Sequence, residues 1–95
     1  MLDMKSTSTR LKTILRYIAA NVYRLRVDRG WTQKQLAEES ELNDRYVQVL
    51  ETGKANPTVQ VLVAIADALG VAPTDLFLPA KLEPRRAAGR PPAAK

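Results

Sequence analysis

Glycines at 30, 53 and 70 constrain this chain more than any other feature, because each directly follows a stretch with helical apolar spacing. Glycine enters the left-handed conformation at little cost, so it marks where a helix stops. Before Gly30, Leu11, Ile14, Leu15, Ile18, Val22 and Leu25 recur at three- and four-residue steps, the signature of one buried helical stripe. Arg10, Lys12, Arg16, Arg24, Arg26 and Arg29 lie between them as a cationic outer face. Thr32 followed by Gln35 is a capping box, which starts a short second helix at Gln33 and carries it to Ser40. Asn43 caps a third helix, with Asp44 against its positive pole and Tyr46, Val47 and Leu50 turned inward, and Gly53 closes it. Asn56-Pro57 reads as a turn. Thr58 then caps a fourth helix with the stripe Val59, Leu62, Val63, Ile65, Ala66 and Leu69, ended by Gly70. Pro73-Thr74 opens a short fifth helix bearing Leu76, Phe77 and Leu78. No strand-like alternation of useful length occurs, so the expected class is all-α with five helices, the first of them extended.

A chain of 95 residues has room for one domain and one modest core. We expect a frayed lead-in over 1–9, a folded domain over 10–78 and a flexible tail over 79–95, where Pro, Ala and Arg dominate and too little apolar surface exists to offset ordering entropy. The net charge of +5 is concentrated in that tail, where Lys81, Arg85, Arg86, Arg90 and Lys95 oppose Glu83 alone. The folded part is therefore nearly neutral, and basic groups count as evidence only by where they sit.

Cysteine and histidine are both absent. Their absence removes disulfides, the usual zinc ligands and the commonest general base, and leaves no familiar nucleophile-base pair. The expectation is a protein that is not an enzyme and needs neither metal nor cofactor. With no long apolar run and no secretory signal at the N-terminus, it reads as cytoplasmic and free of membrane. Asp67 and Asp75 read as helix-surface and helix-start charges.

Two short helices, Gln33 to Ser40 and Asn43 to Glu51, stand in the relation that lets a second helix enter a major groove. Leu36 and Ala37 on the first face Val47 and Leu50 on the second, Leu42 plugs the turn, and Ala37 is small where the helices cross closely. A helix N-terminus at Gln33 offers free N–H groups to an anion.

The run Arg26, Arg29-Gly30-Trp31-Thr32-Gln33, Leu36-Ala37, then Tyr46-Val47, Leu50-Glu51-Thr52-Gly53-Lys54-Ala55-Asn56-Pro57-Thr58, and finally Ile65-Ala66-Asp67-Ala68-Leu69-Gly70-Val71 resembles the Cro/phage-repressor type of helix-turn-helix domain, the xenobiotic-response-element family. The likeness spans about Ile18 to Leu78. It implies a regulator that packs five helices, binds double-stranded DNA and acts as a homodimer. It further implies that Gln33 touches a phosphate, that Asn43, Asp44, Arg45 and Val49 face the groove with Gln48 beside them, and that Lys54, with Thr52 and the Gly53 backbone, clamps a phosphate. Arg45 suits guanine through a bidentate pair, Asp44 a cytosine amine and Val49 a thymine methyl. Arg26 and Glu51 fall where members of the family place an ion pair between the first and third helices. Glu41 stands where the family commonly has glycine at positive φ, so the turn carries a strain of about 1 kcal/mol.

Several features keep two readings. The stripe of Leu11, Ile14 and Leu15 is either extra core or a dimer contact, and Leu76, Phe77 and Leu78 are either core or the dimer seam. Trp31 reads as a core plug. Arg10, Lys12, Arg16 and Arg24 form a solvated surface from which one or two reach phosphate. Gly89-Arg90-Pro91 resembles a minor-groove hook over three residues, against the broader reading of salt-dependent attraction between tail and DNA. The function that follows is a sequence-specific regulator on a two-fold symmetric operator. Its rival is an antitoxin-like or adaptor protein that uses the same fold for protein partners.

Overall fold

The computed structural model describes residues 4–82, with side chains from residue 6. The lead-in residues 1–3 and the tail from 83 onward, including Arg85, Arg86, Arg90, Lys95 and Gly89-Arg90-Pro91, lie outside the described residues. Within them the chain forms α1 (Met4–Asp28), α2 (Gln33–Ser40), α3 (Asp44–Leu50), α4 (Val59–Leu69) and a 3-10 turn at Pro73–Phe77, with no strand.

Two boundaries differ from expectation. α1 begins at Met4, so residues 4–9 are helical where a lead-in was expected. That segment has no apolar periodicity, but a helix already formed over the Leu11–Leu25 stripe propagates at little cost. The fifth helix is a single 3-10 turn of five residues, started by Pro73 and held by the Asp75 carboxylate, which accepts from the Ala72 amide at 3.1 Å. Among the described residues the architecture is thus four α-helices and one 3-10 turn.

Three helix ends share one closure. Trp31 N donates to Arg26 O and Gly30 N to Val27 O; Leu42 N to Ala37 O and Glu41 N to Glu38 O; Val71 N to Ala66 O and Gly70 N to Asp67 O. Each is a paired six-to-one and five-to-two bond, which satisfies carbonyls that a helix end leaves open. It requires a left-handed residue, supplied by Gly30 at φ 74°, Gly70 at φ 72° and, between α2 and α3, by Glu41 at φ 59°.

The core gathers Ile18 and Val22 of α1, Leu36 and Ala37 of α2, Val47 and Leu50 of α3, Leu62, Ile65, Ala66 and Leu69 of α4, and Leu76. Burial of each large side chain contributes about 2 kcal/mol. The α4 stripe is narrower than expected. Val63 stands one position off it, and Val59, in the first turn, keeps 75% of its surface exposed. Trp31 packs against the core only in part, beneath the Arg29 guanidinium 4.9 Å from its ring.

Candidate nucleic-acid interface

α2 is launched by a reciprocal cap: Thr32 Oγ1 accepts from Gln35 N at 3.0 Å, while Gln35 Oε1 accepts from Thr32 N at 2.7 Å. Its inner face is Leu36, Ala37 and Ser40, and the buried Ser40 hydroxyl donates to Leu36 O at 2.6 Å. After the left-handed Glu41, Asn43 starts α3 by accepting through Oδ1 from Arg45 N at 2.8 Å and Tyr46 N at 3.3 Å. Burying Val47 and Leu50 turns Asn43, Asp44, Arg45 and Gln48 outward, and all four are exposed. Val49 is half-buried against the core, so it offers that outer face less surface than the sequence suggests. Tyr46 is also half-buried, and desolvation raises its phenol above the ordinary tyrosine value.

A buried charge network fixes α3 to α1. Arg26 Nε donates to Glu51 Oε2 at 2.7 Å and Arg26 Nη2 to Glu51 Oε1 at 2.9 Å, while Arg26 Nη1 donates to Trp31 O at 2.7 Å. The Glu51 side chain has no exposed surface. Gln33 Nε2 joins it, donating to Glu51 Oε1 at 3.0 Å. Gln33, expected to face a phosphate, is therefore tied by its side chain to the ion pair. Sequence reasoning did not anticipate this link, because residues 33 and 51 meet only when α2 and α3 cross.

The loop after α3 uses most of its own donors. Thr52 Oγ1 donates to Val49 O at 2.6 Å and accepts from Lys54 N at 3.3 Å, and Gly53 N donates to Leu50 O at 3.1 Å. The expected clamp of Thr52, the Gly53 backbone and Lys54 is thus engaged internally at its hydroxyl and amides. The Lys54 ammonium stays exposed. Lys34, in the first turn of α2, is a second exposed cation of the motif, absent from the residues expected from the sequence.

Among the candidate dimer contacts, Leu76 is fully buried and has no surface to offer a partner. Phe77 and Leu78 are 41% and 53% exposed. Both flank a tether that the sequence did not reveal: buried Asn21 Nδ2 donates to Leu76 O at 3.0 Å and to Leu78 O at 2.8 Å. Leu11 is exposed, whereas Ile14 and Leu15 pack in part against the core.

An all-helical fold whose second and third helices are joined at a tight left-handed turn, with a polar outer face on the latter, defines a helix-turn-helix protein. A helix-turn-helix family model matches residues 22–76. The HTH-type transcriptional regulator y4dJ of Sinorhizobium fredii, itself uncharacterised, is 39% identical over 62 residues, which cover 65% of this chain and 80% of that protein. The crystal structure of the hypothetical transcription factor NHTF from Neisseria superposes with a TM-score of 0.69 at 33% identity, covering 73% of this chain and 79% of that one. The restriction-modification controller protein C.AhdI from Aeromonas hydrophila does so with a TM-score of 0.64 at 32% identity, covering 66% and 96%. The chain belongs to the Cro/C1-type helix-turn-helix family of transcriptional regulators.

Proposed function

We propose that the protein regulates transcription by binding a two-fold symmetric DNA operator as a homodimer, with the outer face of α3 in the major groove. The observation that carries this reading is the exposed set Asn43, Asp44, Arg45 and Gln48 on a helix whose opposite side is anchored by Val47, Leu50 and the Glu51 carboxylate. Arg45 pairs with guanine O6 and N7, Asp44 accepts from a cytosine amine, and Asn43 and Gln48 read neighbouring edges; the exposed part of Val49 meets a thymine methyl. Lys54, together with the backbone N–H groups at the Gln33 end of α2, sets the register on phosphates. Phe77 and Leu78 form the seam between protomers, with Leu11 a further apolar contact. Recognition helices then stand about 34 Å apart, or a multiple of that, on one face of the duplex. Within the described residues no helix is long and apolar enough to cross a membrane, and the protein acts in the cytoplasm at the nucleoid.

The test is selection of bound sequences from random duplexes, with the oligomeric state measured alongside. A palindromic consensus is expected, and Arg45→Ala relaxes preference at one position per half-site at a cost of roughly 1–3 kcal/mol. No enrichment of any sequence overturns the reading in favour of a protein-binding role for the same fold.

A further inference from the structure

Two segments outside the matched span 22–76 converge on the loop that follows α3. A Cβ built on Gly53 would lie 3.3 Å from Arg16 Cγ and 3.7 Å from Arg16 Cα, in α1, and 3.6 Å from Leu82 Cδ2, beyond the 3-10 turn. The stem of Arg16 therefore lies on the loop that bears Lys54, and its guanidinium continues from that stem into solvent. Lys12 stands one helical turn earlier on the same side of α1, and Lys81 adjoins Leu82.

Four other cations of the fold are already engaged, whereas Arg45 lies on the outer face of α3 and Lys34 in the first turn of α2. Arg26 is locked onto Glu51, Arg29 donates to Leu69 O, Arg24 donates to Asn21 Oδ1 and lies 3.9 Å from Asp28, and Arg10 donates to Thr7 Oγ1. Lys12, Arg16, Lys54 and Lys81 are exposed and have no ion-pair partner among the described residues. The loop between them, meanwhile, has committed its hydroxyl and amides to its own geometry.

We infer that Arg16 is a DNA-backbone contact contributed from outside the helix-turn-helix unit, forming with Lys54, Lys12 and Lys81 a cationic ledge that follows the phosphates flanking the groove read by α3. The inference rests on the DNA-binding reading of α3 and extends it. Its ligand is the phosphodiester of duplex DNA, so the ledge adds affinity without base preference.

The test measures binding of the full chain to two fluorescent duplexes, one carrying the selected consensus and one scrambled, over a range of salt. Arg16→Gln keeps the stem that packs on Gly53 and removes the charge. It should weaken both duplexes by the same factor, roughly 3- to 10-fold, and lower the slope of log K against log salt by about one. Arg16→Lys should restore the slope, and Arg24→Gln should leave it unchanged. An Arg16→Gln variant with the wild-type slope and affinity overturns the inference, as does one that changes the selected consensus. Absence of any duplex binding by the wild-type chain is a different result, and it is the proposed function that falls in that case.

Discussion

Arg26 and Glu51 meet side-on, through bonds of 2.7 and 2.9 Å, with the carboxylate wholly enclosed between α1 and the end of α3. The pair sets the orientation of the polar face, because Glu51 follows α3 directly and also receives the Gln33 amide. Removal of one partner leaves a charge buried without its counterion. Glu51→Ala should therefore destabilise the fold by about 3–5 kcal/mol in urea titration, a large share of the roughly 5–15 kcal/mol typical of such domains. Arg26→Met combined with Glu51→Leu should recover most of that loss. A Glu51→Ala protein as stable as wild type would mean that the pair does not anchor α3.

Glu41 is the one non-glycine residue at positive φ among the described residues, at 59°. Glu41→Gly keeps the closing bonds of α2 and removes the strain on Cβ. The expected gain is about 1 kcal/mol, read as a rise in melting temperature of about 4–8 °C. A lower melting temperature would show that the Glu41 side chain stabilises the turn.

Gly30 and Gly70 have nearly the same φ, 74° and 72°, but different surroundings. An added Cβ meets nothing within 4 Å at Gly30, whereas at Gly70 it comes to 2.9 Å from Arg29 Nη2. That nitrogen donates to Leu69 O at 3.0 Å and so links the ends of α1 and α4. Gly70→Ala should exceed Gly30→Ala in cost by about 0.5–1.5 kcal/mol, the contribution of the displaced hydrogen bond. The excess should vanish in an Arg29→Ala background, as a double-mutant cycle would reveal.

Leu76, Phe77 and Leu78 are adjacent in sequence but have separate fates. Phe77→Lys with Leu78→Lys should leave the monomer folded and shift sedimentation from dimer to monomer. Leu76→Lys should instead unfold the chain, since it places an ammonium in the core. A double variant that still sediments as a dimer would move the seam elsewhere.

The helix-turn-helix was legible because its signals are local. Thr32 with Gln35, Asn43, Gly30 and Gly70 act within four residues of themselves, and each performs in the structure the cap or closure its chemistry suggests. By contrast, α3 ends at Leu50 on a right-handed Glu51, and Gly53 shapes the loop beyond it. What stayed hidden depends on tertiary reach. Asn21 looks like one more residue on a helix, yet its amide bonds carbonyls 55 and 57 residues away. Arg29 reads as an outer cation and turns out to hold the end of α4. Periodicity also overstated burial at Val59 and Val63, because a stripe records which residues share a face and not how far the neighbours cover it. The start of α1 was missed for the converse reason: its first turns have no stripe to announce them.

Asn21 fastens the carbonyls on either side of Phe77, so the ring is displayed from backbone that is already immobile. The conformational freedom of this edge is given up during folding rather than during encounter. A surface docking onto Phe77 and Leu78 would therefore be spared the entropy of ordering this stretch of backbone, one of the terms that association otherwise sets against contact.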